Sequence, residues 1–102
     1  MKQISLERVA ELIEEKITDT YNHWIQICNA PSPNLSNHEY MIINDGIANL
    51  SLDKIGLEIE LRCGSVSICF ESINEIIEFE EEESDSRVKI ERKDGSLIFL
   101  TF

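Results

Sequence analysis

The chain has no long apolar run. Its longest, such as Ser96–Phe102, falls far short of the roughly 20 residues a bilayer-spanning helix needs. The opening segment "MKQISLERVAELIEEKI" meets charges every few residues and has no apolar h-region, so no signal peptide is expected. Cysteine is sparse: Cys28, Cys63 and Cys69 are odd in number and lack the close pairing of zinc ligands. Such a set fits a reducing, cytoplasmic setting better than a disulfide framework. The four glycines (Gly46, Gly56, Gly64, Gly95) each sit at an apparent turn, which leaves no glycine-rich phosphate loop. Positive charge is the scarcest commodity: 9 bases stand against 20 acids, for a net charge of −11. Nucleic acid or an anionic membrane would meet like charge, so both are excluded as direct partners and a basic partner is favoured.

What remains is ordinary for one globular domain over residues 1–102, with 42% apolar and 28% charged side chains. Leu6, Val9, Ala10, Ile13, Ile17, Tyr21, Trp24, Ile25 and Cys28 recur at helical spacing, and Ser5 is a candidate N-cap with Glu7 just inside it. That predicts a helix over about 5–28, some 23 residues or roughly 34 Å long. Pro31 and Pro33 stop it, making 29–37 a loop. From His38 the period becomes two. "HEYMII" and "IANLSL" flank Asn44-Asp45-Gly46, a hairpin signal. "LEIELR" alternates strictly, "SVSICF" and "EIIEF" follow, and "RVKIER" reaches "SLIFLTF" through Lys93-Asp94-Gly95. "SLIFLTF" is apolar on both faces and is expected to have sheet neighbours on each side. The expected fold is α+β: a long N-terminal helix packed on a curved antiparallel meander of six or seven strands over 38–102. An apolar second face on "EYMII" or "SLIFLTF" can be covered by the helix or by another copy, so a homo-oligomer stays open.

The negative charge is unevenly spread. Residues 71–86, around "IIEFEEEESDS", carry eight acids and no base. Alternation with Ile77 and Phe79 inward sends Glu78 and Glu80 outward, where Glu80 can face Lys89 and Glu82 can approach Arg87. Cross-strand pairs of that kind contribute a few tenths to about 1 kcal/mol each. They leave some six carboxylates without a counter-charge, and neighbours ~7 Å apart repel by about 0.6 kcal/mol even in water. Glu7, Glu11 and Glu15 form a second like-charged series at i, i+4. A solvated, solubilising face is the plain reading of such runs. A surface used for binding is the sharper one, with Glu78, Glu80, Glu81, Glu82, Glu83, Asp85, Glu7, Glu11 and Glu15 as its candidate residues.

Other chemistry is weakly signalled. His23 lies beside Asp19 off the apolar stripe, His38 sits at a loop junction, and neither is framed by a nucleophile motif. "EEEESDS" lacks the central glycine of a calcium loop. Cys63 and Cys69 flank Gly64 and can be imagined approaching across it, with burial as small apolar groups the commoner fate. No catalytic residue, metal or cofactor is expected. The function expected is that of a non-enzymatic inhibitor occupying a basic, nucleic-acid-binding surface of a protein partner. Phage anti-restriction and anti-CRISPR inhibitors and nuclease-toxin immunity proteins share this size and charge, though no motif links them to this chain. Four successive glutamates on a strand rise about 3.4 Å apiece, the axial spacing of DNA phosphates. The alternative is a small adaptor domain that pairs through a sheet edge or the 29–37 loop, its acids serving only solubility.

Overall fold

In the computed structural model, which describes residues 1–30 and 41–102, Ser5 does open a helix. Its backbone is extended (φ −92°, ψ 165°), and its hydroxyl oxygen accepts from the Arg8 N–H at 3.1 Å. That satisfies one of the donors every helix start leaves without a partner. The helix, α1, spans Leu6–Thr20 and buries Leu6, Val9, Ala10, Leu12 and Ile13.

It is 15 residues long, so the expected helix to residue 28 is wrong. The chain leaves it at Tyr21, in the left-handed conformation (φ 53°, ψ 23°). Thr20 Oγ1 donates to the Lys16 carbonyl at 2.6 Å and accepts from the Asn22 N–H at 3.3 Å. Asn22 Oδ1 then accepts from the Trp24 N–H at 3.1 Å. Short polar side chains thus meet the backbone's needs locally and compete with a further helical turn. Trp24, Ile25 and Cys28 fit a helix, but Ile25 and Ile27 also fit a strand. The strand prevails because it is hydrogen-bonded on both sides.

The elements after β1 (Lys2–Gln3) and α1 are β2 (Trp24–Ala30), β3 (Met41–Leu52), β4 (Gly56–Leu61), β5 (Gly64–Cys69), a 3₁₀ turn (Phe70–Ser72), β6 (Ile73–Glu78), β7 (Val88–Arg92) and β8 (Leu97–Thr101). All pairings are antiparallel, in the order β1-β6-β7-β8-β2-β3-β4-β5. Among the described residues there are eight strands rather than six or seven, and 53% of residues are strand against 20% helical. The count changes for two reasons. β1 and β2 were not foreseen, while "MII" and "IANLSL" are one strand. The expected loop lies outside the described residues except for Asn29 and Ala30, which end β2; His38–Tyr40 of the expected first strand also lie outside them.

Asn44-Asp45-Gly46 is therefore no hairpin but a corner inside β3. Residues up to Gly46 pair with β2, those from Ile47 pair with β4, and the register slips between Ile47 and Asn49. Asp45 holds the corner: Oδ1 accepts from the Gly46 N–H at 2.8 Å, and Oδ2 accepts from Cys63 N–H, in the β4–β5 turn, at 2.9 Å. Lys93-Asp94-Gly95 is the turn its residues predict. Gly95 takes φ 89°, and Asp94 Oδ1 accepts from both the backbone N–H and the hydroxyl of Ser96. Those two bonds hold the Asp94 carboxyl below its ordinary pKa.

β8 lies between β7 and β2, in the middle position expected of a strand apolar on both faces. Its Ile98 and Leu100 join Ile25, Ile27, Ile59, Leu57, Ile68, Val88 and Ile90 under α1, and all of these are essentially buried. Only Phe70–Ser72 separate β5, the last strand of the order, from β6 near its other end, so the sheet must curl until its two ends approach. Among the described residues no helix is long and apolar enough to cross a membrane.

Candidate functional site

β6 ends at Glu78, so the four successive glutamates Glu80–Glu83 lie wholly beyond the strand. Glu80–Glu83 form a turn closed twice by its own ends. The Glu83 N–H donates to the Glu80 carbonyl at 3.0 Å, and the Glu80 N–H donates to Glu83 Oε1 at 3.0 Å. Glu83 also accepts from the Met1 amino group. That ammonium, then the Glu80 N–H, holds the Glu83 carboxyl below its ordinary pKa. Behind the turn, the Phe79 N–H donates to Arg87 O (2.9 Å) and the Arg87 N–H donates to Leu100 O (2.8 Å). These bonds tie the loop back to the sheet.

The pairings expected for Glu80 with Lys89 and Glu82 with Arg87 do not form. Lys89 sits opposite Ile77, and Glu78 sits opposite Val88 on one side and Lys2 on the other. β6 thus presents Ile76 and Glu78 to the helix side, with Ile77 on the far face, the reverse of the expected alternation. The register slip between Ile73 and Glu75 inverts it. The phosphate-spaced ladder disappears too, because a turn has no strand rise.

The turn borders an open cleft of about 700 Å³. Glu78 lines it from the end of β6, Glu80 and Glu81 from the turn, Asp85 and Arg87 from the rest of the loop, Arg8 and Lys16 from α1, and Lys2 from β1. Four acids and four bases therefore line it; Arg87 is adjacent in sequence to the acidic run, whereas Lys2, Arg8 and Lys16 come from distant positions and only folding brings them there. Arg87 also lies over the ring of Phe102, 4.9 Å from its centroid. The 8-residue step from Arg8 to Lys16, which puts both on one helical face, was the one legible sign of this wall.

The helical acids divide. Arg8 Nη1 bonds Glu11 (3.0 Å) and Glu15 (3.3 Å), so two of the three ridge carboxylates share a counter-ion beside the cleft. Glu11, then Glu15, raise the Arg8 pKa further. The expected stability cost of that ridge is correspondingly reduced. Glu7 lines a different recess, about 340 Å³, with Ile4, Phe70 and Ile73. Glu80, Glu81, Glu82 and Asp85 are exposed and take part in none of the ion pairs found among the described residues.

No His or Cys lines the larger cleft. Cys63 and Cys69 are exposed thiols at opposite ends of β5. Among the described residues no group of three or more His, Cys, Asp or Glu side chains converges as a metal site would. No protein-family model, curated protein or solved structure matches the chain.

Proposed function

We propose that this chain is a non-catalytic binding protein whose acidic turn, Glu80–Asp85, docks on a Lys- and Arg-rich surface of a protein partner. The observation that carries this is the exposure of Glu80, Glu81, Glu82 and Asp85 on a turn closed by one backbone bond and by the Glu83 carboxylate, outside the described ion pairs. These carboxylates form no ion pair among the described residues, even where Lys2, Lys16 and Arg87 line the same cleft, so their oxygens are open to another molecule's cations. A turn closed by its own hydrogen bonds also loses less conformational freedom on binding than an open loop would. The basic surfaces that attract such a turn most strongly are those that nucleic-acid-handling enzymes present to phosphate, and blocking one would inhibit the enzyme. Exposed thiols at Cys63 and Cys69 suit a reducing compartment such as the cytoplasm.

The test is displacement. Labelled duplex DNA is bound to each of a panel of purified nucleases, and the protein is titrated in at low salt and at about 150 mM salt. The expected result is release of DNA from at least one enzyme, weakened by salt and abolished in the combined variant Glu80→Gln, Glu81→Gln, Glu82→Gln, Asp85→Asn. Equal release by the variant, or release from no enzyme, overturns the proposal.

A further inference from the structure

The opposite edge of the sheet is made differently. Among the described residues β5 pairs with β4 alone, through Gly56↔Cys69, Leu57↔Ile68, Glu58↔Ser67, Ile59↔Val66, Glu60↔Ser65 and Leu61↔Gly64. Phe70 continues that ladder by donating its N–H to the Ile55 carbonyl at 3.0 Å. In an antiparallel pair, alternate residues bond inward. Gly64, Val66, Ile68 and Phe70 therefore serve β4, while the N–H and C=O of Ser65 and Ser67 point away from the sheet. Both serines are exposed, and β5 contains no charge, no proline and no bulge, the usual devices that blunt an edge.

We infer that the β5 edge receives an extended peptide strand in which basic and apolar residues alternate. The backbone of Ser65 and Ser67 sets the form of the occupant, because only a strand matches their spacing. The side-chain rows set its chemistry. On the solvent face the register aligns Asn49–Glu60–Ser65 and Ser51–Glu58–Ser67. An added strand places one row of its side chains beyond those serines, roughly 9.6 Å or two strand spacings from the glutamates. Serine is short, so a Lys or Arg stem can lie over it and bring its charge to Glu58 or Glu60. On the helix side the alternate residues fall beside half-buried Val66 and buried Ile68. Past Cys69 the edge meets the recess of about 340 Å³ lined by Ile4, Leu6, Phe70, Ile73 and Ile76. A second copy of this chain fits poorly, since each carries −11.

The probe is an eight-residue peptide alternating valine and lysine, titrated into the full chain with amide shifts followed by NMR. Shifts are expected at Ser65 and Ser67. Methylating the peptide's lysine backbone nitrogens, which face β5, is expected to weaken binding about tenfold, as the loss of one or two hydrogen bonds would. Methylating the valine nitrogens should not. Ser67→Pro removes an edge donor that β4 does not use, with the same expected loss, whereas Ser67→Ala keeps the donor and the affinity. Combined Glu58→Gln and Glu60→Gln weakens binding several-fold at low salt only. Binding that ignores the lysine methylation overturns the inference. So does binding that moves to the Glu80–Asp85 amides, an outcome that leaves the acidic-turn reading standing, and so does self-association through β5 in sedimentation.

Discussion

Among the described residues β1 and β5 each leave one side of their backbone without a strand, yet the chain handles them in opposite ways. β1 is two residues long, carries Lys2, and stands beside a turn dense with carboxylates and a helix wall carrying Arg8 and Lys16. β5 is six residues long, uncharged and serine-lined. Brevity and charge are how a sheet discourages unwanted pairing, and one end has both while the other has neither. The chain's most concentrated negative charge thus stands where strand addition is blocked, and the open edge carries none. The two proposals accordingly assign one sheet two recognition modes: electrostatic at the β6–β7 end, and backbone-directed at β5.

The comparison can be broken most forcefully at Gly56. A Cβ there would lie 2.1 Å from the Ile68 carbonyl oxygen and 2.8 Å from the Cys69 Cα, both backbone atoms of β5. Gly56→Ala is expected to cost about 3 kcal/mol or more and to strip β5 from the sheet. Hydrogen exchange checks this: β5 amides lose protection while β7 and β8 amides keep it. Asp45 is the next lever, since its two oxygens fix the corner of β3 and the β4–β5 turn. Asp45→Ala should cost about 1–2 kcal/mol in urea denaturation and loosen the hairpin tip at Cys63. If its effect spreads equally to the β6–β7 end, the two ends are not independent.

Much of this was readable from residues alone, and the failures are specific. Ser5 marks the helix start because a cap is a local event. The helix end was hidden because Trp24, Ile25 and Cys28 satisfy a 3.6-residue period as well as Ile25 and Ile27 satisfy a two-residue one. Asn44-Asp45-Gly46 has hairpin composition, but Asp45 spends its carboxylate on Cys63, 18 residues away, which local chemistry cannot foresee. Ile76 and Ile77 are adjacent and apolar, so either could face the core, and a register slip chose Ile76. The acidic run stood out as charge. Its neighbours Lys2, Arg8 and Lys16 did not, because only folding brings them to it.

The smallest expected effect carries the most weight. If the exposed acids belong to recognition rather than to the fold, removing their charge should leave the fold untouched. The combined variant Glu80→Gln, Glu81→Gln, Glu82→Gln, Asp85→Asn, melted alongside the parent, is expected to match it within about 3 °C, or to exceed it slightly at low salt where repulsion is relieved. A midpoint lower by more than about 5 °C at both low and high salt would mean that these carboxylates hold the structure together, and the account of the acidic turn would fail.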